Sequence, residues 1–208
     1  MKKRRGPPAR LAQGVIAGGW LAVCLVASYV VMQYDFSAGR LGQGTGRWPS
    51  DATLTPGPTT TVVAFLHPRC PCTKATVKHL VKTLKSSPEV HLVADMFVLP
   101  GGSQAPEWRD NAYVRAIRKE LPTAEVVFDP EAVEAARFGA LTSGTVLVFD
   151  AWGIERFRGG ITDRRGGERD NPGLSQLAKV VTPGSQGQPM RPTPVFGCPL
   201  VLAREPAR

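Results

Sequence analysis

The sequence is poor in cysteine and in long apolar runs. Four of its 208 residues are cysteine, which excludes the class of small exported proteins held together by many disulfides. A single long apolar run excludes a polytopic transporter, and the chain length excludes a large multidomain enzyme. No Gly-x-Ser-x-Gly, His-Glu-x-x-His or phosphate-binding loop motif occurs, so common hydrolase and nucleotide-binding functions lack support.

Acidic residues are absent before Asp35, and the charge of the chain is therefore uneven. The net charge is +9, from 26 Lys and Arg against 17 Asp and Glu. Five of the basic residues lie in the first ten positions, and without them the surplus falls to +4. They are Lys2, Lys3, Arg4, Arg5 and Arg10. A short basic flank of this kind indicates a membrane orientation signal, and we expect no nucleic-acid partner.

The apolar run Leu11–Met32 contains no charged residue. At about 1.5 Å per residue, a helix of this length spans a bilayer core of about 30 Å. The basic residues on its N-terminal side predict a cytoplasmic N-terminus and an exported C-terminal part. We therefore expect a single-pass protein of the bacterial inner (cytoplasmic) membrane, with its main domain in the periplasm.

A cleaved signal peptide is the alternative interpretation of this run. Its cut site would follow Val26-Ala27-Ser28, and the sequence Leu21-Ala22-Val23-Cys24 faintly resembles a lipoprotein signal. We favour an uncleaved anchor because the apolar core of a signal peptide is shorter, about 7–15 residues. The spacing of Gly14 and Gly18 matches GxxxG, which permits close helix pairing, so a homodimer through these residues is an open alternative.

Composition and motif spacing divide the chain into five predicted segments. They are a basic tail (1–10), a transmembrane helix (11–32), a Gly/Pro-rich tether (33–58), a folded domain (59–181) and a Pro/Gly-rich C-terminal tail (182–208).

Strand and helix signals alternate within the folded domain. The predicted strands are Thr59–Leu66, Val90–Val98, Glu125–Phe128, Thr145–Phe149 and Ile154–Gly159. The predicted helices are one beginning at Cys72, then Trp108–Leu121, Pro130–Phe138 with Asp129 as its N-cap, and Gly173–Val181. This order predicts an α/β domain with a mixed sheet flanked by helices.

Cys70 and Cys72 lie between the first strand and the first helix of the domain, with Pro71 between them. The N-terminus of a helix stabilises a thiolate, and His67 and Lys74 would add positive potential. In an oxidising compartment this arrangement predicts dithiol–disulfide exchange with protein partners and no cofactor.

We expect Cys70, as the more exposed cysteine, to attack a partner disulfide. Cys72 would then resolve the mixed disulfide, or Cys198 would do so if it reaches the site. A static bridge through Cys198 that only holds the tail is the alternative.

The run Phe65–Cys72 resembles the strand-to-helix redox turn of the thioredoxin-like superfamily, and the resemblance extends over Thr59–Val181. Phe138-Gly139 and Thr145–Asp150 resemble the closing strand pair of that superfamily. The segments His67–Thr73, Gly159–Thr162 and Val195–Leu200 are similar to the RedB-type group of membrane-anchored bacterial thioredoxin-like proteins. This resemblance implies a thioredoxin-like fold and a thiol–disulfide oxidoreductase.

Two departures from the superfamily pattern concern the site itself. The superfamily turn is Cys-x-x-Cys, whereas this chain has Cys-x-Cys. Ser143, Gly144 and Thr145 stand where the superfamily carries a cis-proline loop, and we expect Gly144 to form an ordinary trans turn. In the superfamily the cis-proline shapes the substrate groove and discourages metal binding. Without it, the sequence predicts neither the shape of the groove nor whether a metal can enter the site.

Metal binding and a non-catalytic scaffold are the competing functions. Cys70, Cys72 and His67 would suit copper or another soft metal. His79 is expected on a solvated helix face and His91 on a strand surface. The scaffold alternative draws attention to the charged loop with Arg164, Arg165 and Arg169. We expect this loop to be solvated, and binding of an anionic partner is the weaker alternative.

Overall fold

The computed structural model describes residues 9–98, 106–182, 184 and 190–200. The chain divides into two compact units between Ser37 and Ala38, and each unit is described by itself.

The first unit is built on the helix α1, Ala9–Phe36. Within it, Gln13–Phe36 is long and apolar enough to cross a membrane by length and composition, which confirms the predicted N-terminal apolar helix. The helix extends past Met32 to Phe36, so the tether cannot begin at residue 33 as predicted. No side chain lies within 4 Å of a Cβ built at Gly14 or Gly18, and pairing of two such helices stays a prediction.

The second unit contains a mixed five-stranded sheet. Its strands are β1 Thr61–Leu66, β2 His91–Val98, β3 Glu125–Pro130, β4 Thr145–Phe149 and β5 Glu155–Gly159. The strand order is β3-β2-β1-β4-β5. β1, β2 and β3 run parallel to one another, whereas β4 is antiparallel to β1 and β5 is antiparallel to β4. The predicted mixed sheet is confirmed.

Helices cover both faces of this sheet. They are α2 Pro71–Leu84, α3 Pro106–Arg109, α4 Ala112–Glu120, α5 Val133–Arg137 and α6 Pro172–Val181. Because side chains alternate along a strand, Val62 and Leu66 pack with α2, α4 and α6, while Val63 and Phe65 face α5 and Trp108.

The predicted helix Trp108–Leu121 is wrong as a single element. Asn111 interrupts it and acts as the N-cap of α4, where its side-chain oxygen accepts the N–H groups of Tyr113 at 2.9 Å and Val114 at 3.1 Å. An asparagine that bonds to the main chain two and three residues ahead begins a new helix instead of continuing an old one.

The predicted start of the next helix at Pro130 is also wrong. Asp129 and Pro130 are the last residues of β3, where they pair with Phe97 and Val98, and α5 begins only at Val133. The Asp129 carboxylate nevertheless accepts the N–H of Ala135 at 3.0 Å. Parallel pairing with β2 keeps Asp129 in the strand. Its side chain therefore caps the helix from the end of β3.

The Gly/Pro-rich segment predicted as a tether packs along the domain from Gly39 onward. The N–H of Gly39 donates to the carbonyl of Val195 at 2.7 Å. The ring of Trp48 meets the ring of Phe138 edge-on at 5.0 Å, and Leu54 is buried. Burial of these two apolar side chains favours the packed arrangement over an extended one.

Candidate functional site

The two neighbouring cysteines lie at the start of α2, as predicted. Cys70 is the N-cap residue with φ −86° and ψ 123°, and Pro71 is the first helical residue. Proline suits this position because its fixed φ is helical and it has no N–H to leave unpaired. The N–H of Cys70 donates to the carbonyl of His67 at 3.0 Å, which closes the turn between β1 and α2.

Burial distinguishes the cysteines of the second unit. Cys70 is 0% exposed and Cys72 is 2% exposed, whereas Cys198 is partly exposed. The prediction that Cys70 is the more exposed cysteine is wrong, because the C-terminal segment carrying Cys198 lies against it.

The side chains of Cys70, Cys72 and Cys198 lie close together, and their pKa values shift in different directions. Hydrogen bonds to the sulfur of Cys70, chiefly from the thiol of Cys72, lower the pKa of Cys70 to about 4. The N–H and thiol of Cys198 and the N–H of Cys72 also donate to Cys70, and together these bonds outweigh the opposing effect of burial. Cys70 is therefore the thiolate at neutral pH.

The two donating thiols are held in the protonated state. Donation to Cys70 raises the pKa of Cys72 far above its ordinary value, with burial and the Cys70 charge adding to the effect. Burial raises the pKa of Cys198 to about 11, and donation to Cys70 contributes. One thiolate held by two thiols is the arrangement that an attacking cysteine with resolving partners requires.

The loop expected to be solvated contributes two groups to this site. A guanidinium N–H of Arg165 donates to the carbonyl of Gly197 at 2.6 Å, and the charge of Arg165 opposes the rise in pKa of Cys72 and Cys198. The N–H of Gly166 acts on Cys72 in the same direction. The Gly166-Gly167 pair marks a tight turn, but nothing in the sequence points that turn toward the cysteines.

Ser143 connects the cysteine turn with the C-terminal segment. Its hydroxyl accepts the N–H of His67 at 2.9 Å and lies 3.3 Å from the hydroxyl of Thr73. Its own N–H donates to the carbonyl of Cys198 at 2.8 Å. The predicted supporting role of Ser143 thus has a geometric basis.

Gly144 forms a trans turn, as expected, and no cis peptide bond occurs among the described residues. Its φ of +90° lies in the region that favours glycine. Its N–H donates to the carbonyl of Phe65 at 2.8 Å, opposite which Thr145 begins β4. The hydroxyl of Thr145 donates to the carbonyl of Thr142 at 2.7 Å, so these residues hold the loop in place.

His67 does not supply the positive potential predicted for it, and the same prediction for Lys74 stays a prediction. The ring of His67 stacks on Phe97 with centroids 5.0 Å apart, and its Nδ1 accepts the N–H of Arg69 at 3.1 Å. Burial lowers the pKa of His67, so the ring is neutral at neutral pH. Lys74 is exposed and adds to the lowering of the pKa of Glu168 that Lys78 chiefly causes.

The other two histidines, His79 and His91, lie away from the cysteine turn, on α2 and β2. His79 is 3% exposed, so its predicted solvated position is wrong; the loop around Gly167 and Glu168 acts on it. His91 is partly exposed and lies 3.7 Å from Glu125 on the neighbouring strand β3, as expected for a strand surface. Within the described residues, no group of three or more His, Cys, Asp or Glu is arranged to hold a metal ion.

Tyr113 on α4 is a site neighbour that the sequence did not indicate. Burial raises the pKa of its hydroxyl, and the negative charge of Cys70 raises it further. The tyrosine therefore lies within electrostatic reach of the Cys70 sulfur.

No protein-family model matches the chain, and no curated protein matches it. Among solved structures, an uncharacterized conserved protein from Geobacillus kaustophilus is 19% identical and covers 82% of this chain and 95% of its own, with a TM-score of 0.56. A hypothetical protein from Sinorhizobium meliloti has the same identity, coverage of this chain and TM-score, and is covered over 100% of its length. The thioredoxin domain of a thiol-disulfide oxidoreductase from Bacteroides vulgatus is 11% identical, with 70% and 99% coverage and a TM-score of 0.43.

The fold is thioredoxin-like. Two parallel and two antiparallel strand pairs, with helices on both faces, confirm the fold predicted from the resemblance. Sequence identities below one fifth indicate a shared fold but do not indicate a shared activity. What the protein does must therefore be argued from its own site.

Proposed function

We propose that this protein is a membrane-anchored, extracytoplasmic thiol–disulfide oxidoreductase in which Cys70 is the nucleophile. The single observation that carries the proposal is the place of Cys70 at the N-cap of α2 beside Cys72 and Cys198, whose hydrogen bonds lower the pKa of Cys70 to about 4. A buried structural cysteine normally has a raised pKa. A thiolate beside a protonated thiol is ready for exchange.

The reaction proceeds in two balanced steps. The Cys70 thiolate attacks one sulfur of a partner disulfide, the partner S–S bond breaks, and the leaving sulfur takes the electron pair and a proton from solvent. The Cys72 thiol then loses its proton and attacks the Cys70 sulfur, which releases the second partner thiol with that proton. The partner gains two electrons and two protons, and the protein is left with an internal disulfide.

Two thiols are in place for the second step. Cys72 follows on the same helix turn, and Cys198 reaches Cys70 from the C-terminal segment. We assign the resolving role to Cys72, because Cys198 belongs to a segment that also occupies the approach to Cys70. Resolution by Cys198 is the alternative, and it predicts a different outcome in the experiments below.

The location of the reaction follows from α1 and the basic residues before it. We assign α1 as an uncleaved anchor in the bacterial cytoplasmic membrane, with the cysteine site on the periplasmic side. Disulfides form and persist there, which supplies partners for exchange. The His-Pro-x-Cys-Pro-Cys-Thr turn and the Phe196–Leu200 segment support placement in the RedB-type group.

The test is exchange between detergent-solubilised full-length protein and glutathione disulfide, with formation of reduced glutathione as the measurement. Cys70→Ser should lower the initial rate by at least about a hundredfold, because it removes the nucleophile. Cys72→Ser should form the glutathione adduct but release it slowly. Cys24→Ser is the matched control, since Cys24 lies on α1, and it should retain the wild-type rate. An undiminished rate in Cys70→Ser would contradict the proposal.

A further inference from the structure

The C-terminal segment Thr193–Leu200 runs beside the loop that carries Ser143. The carbonyl of Cys198 accepts the N–H of Ser143 at 2.8 Å, and the N–H of Leu200 donates to the carbonyl of Leu141 at 2.9 Å. Between these bonds, Thr142 and Pro199 form an antiparallel bridge. The segment is thus held in the manner of an added β-strand, by main-chain hydrogen bonds.

Side chains fasten the same segment at both ends. Val195 and Leu200 are buried. The Thr193 hydroxyl donates to the carbonyl of Gly160 at 2.8 Å. Arg165 holds the carbonyl of Gly197 from the other side, at 2.6 Å. Apolar pockets and main-chain pairing together make a site for an extended peptide.

Glycine at position 197 is required by the closeness of this pairing. A Cβ at this position would lie 1.9 Å from the carbonyl oxygen of Ser143, well inside van der Waals contact. Any segment that binds in the same register therefore needs glycine immediately before its cysteine.

Cys198 also occupies the approach to Cys70. Its thiol and N–H both donate to the Cys70 sulfur, and Cys70 is 0% exposed. A partner sulfur that attacks or is attacked at Cys70 must come within bonding distance of that sulfur. The tail cysteine and a partner cysteine cannot both be there.

We propose that Thr193–Leu200 is a detachable strand that holds the place of a partner's cysteine-bearing segment, and that the partner segment is extended and contains Gly-Cys. The inference rests on the proposed exchange at Cys70. The partner replaces the tail along Leu141–Ser143, places its cysteine where Cys198 now lies, and uses the pockets of Val195 and Leu200. Release of the tail sets the rate at which partners reach Cys70.

The experiment uses full-length protein and a synthetic octapeptide of the tail sequence, Thr-Pro-Val-Phe-Gly-Cys-Pro-Leu. The cysteine of this peptide is linked by a disulfide to thionitrobenzoate, and the release of thionitrobenzoate is followed by absorbance. The release rate measured with Cys70→Ser is subtracted from the rate of every other variant. A second octapeptide carries Val in place of Gly. Gly197→Val loosens the tail, and Thr123→Val, at an exposed position before β3, is its control. Arg165→Gln loosens it more gently, with Arg169→Gln on the same loop as its control.

The rate of thionitrobenzoate release should be about tenfold higher in Gly197→Val than in the wild type, because the substitution removes roughly one buried contact or hydrogen bond that holds the tail. It should rise a few-fold in Arg165→Gln, and both controls should match the wild type. The Val octapeptide should react about tenfold more slowly than the Gly octapeptide with the loosened protein. If Gly197→Val does not fold by circular dichroism, Arg165→Gln and the octapeptide pair decide the result.

Unchanged or slower release in Gly197→Val and Arg165→Gln, or equal rates for the two octapeptides, would overturn the inference. Release that continues at the full rate in Cys70→Ser would instead overturn the proposed function, so the two failures are distinguishable.

Discussion

The N–H of Ser143 donates to the carbonyl of Cys198 at 2.8 Å, and this bond holds the tail cysteine against Cys70. The hydroxyl of the same serine accepts the N–H of His67 at 2.9 Å. One residue therefore links the turn before α2, the loop before β4 and the C-terminal segment. The site depends on three parts of the chain that are far apart in sequence.

The thiolate of Cys70 should be visible by titration. We expect the reduced protein to show a thiolate absorbance change with a midpoint near pH 4 that is missing in Cys70→Ser. Cys72→Ala removes the main hydrogen-bond donor and should move the midpoint upward by about one pH unit or more. A midpoint that stays in the ordinary range of a free thiol in the wild type would contradict this arrangement.

Stability should depend on pH through Cys70. Its pKa is about 4 in the folded protein against an ordinary value of 9.0, so the unfolded state binds more protons between these values. The contribution of Cys70 to the free energy of unfolding is therefore full above about pH 9 and is lost as the pH falls toward about 4. Urea denaturation under reductant should show a wild-type advantage over Cys70→Ser that grows with pH in this window. A difference independent of pH would refute the low pKa.

Removal of the Ser143 hydroxyl should destabilise the domain. Ser143→Ala leaves the half-buried N–H of His67 without its acceptor, which costs about 1–3 kcal/mol. Ser175→Ala, at an exposed position of α6, is the control and should change the free energy of unfolding by less than about 0.5 kcal/mol. Equal effects of the two substitutions would mean that Ser143 does not hold the turn.

Asp95 on β2 should lower stability as the pH rises. It is 1% exposed, its Oδ2 has no hydrogen-bond partner, and burial, followed by the charges of Asp129 and Glu134, raises its pKa well above 3.8. Because the folded state binds the proton more tightly, stability is lost as the pH rises through the folded pKa. The stability advantage of Asp95→Asn over the wild type should grow as the pH rises above about 4, and Glu89→Gln should show no such advantage.

The anchor assignment predicts an intact N-terminal segment. The mature protein should keep the mass of the full chain or lose only its initiator methionine, and it should stay in the membrane fraction after an alkaline wash. A mature N-terminus beyond Ser28, with the domain in the soluble fraction, would establish a cleaved signal peptide instead.

Side-chain patterns predicted the parts of the structure that depend on burial and helix geometry. The β-branched run that forms β1, the apolar helix α1 and the place of Cys70 and Pro71 at the start of α2 follow from local sequence. The mixed sheet and its flanking helices were predicted from the alternation of elements together with the resemblance.

Main-chain contacts between distant segments could not be predicted in this way. The bonds of Gly39 to Val195 and of Ser143 to Cys198 join N–H and C=O groups, which every residue carries whatever its side chain. The burial of Cys70 and the approach of Arg165 to Gly197 both depend on that packing. The sequence therefore indicated that Cys70 and Cys72 lie at the start of a helix, but not that the C-terminal segment covers Cys70.

Mass-spectrometric mapping of the trapped mixed disulfide tests the central claim most directly. Full-length Cys72→Ser protein is reacted with glutathione disulfide for one turnover, quenched in acid, alkylated and digested. Glutathione should be found on Cys70, and the Cys70→Ser, Cys72→Ser double variant should carry none in that peptide. Glutathione on Cys198 or Cys24, with Cys70 alkylated or unmodified, would contradict the assignment of Cys70 as the nucleophile.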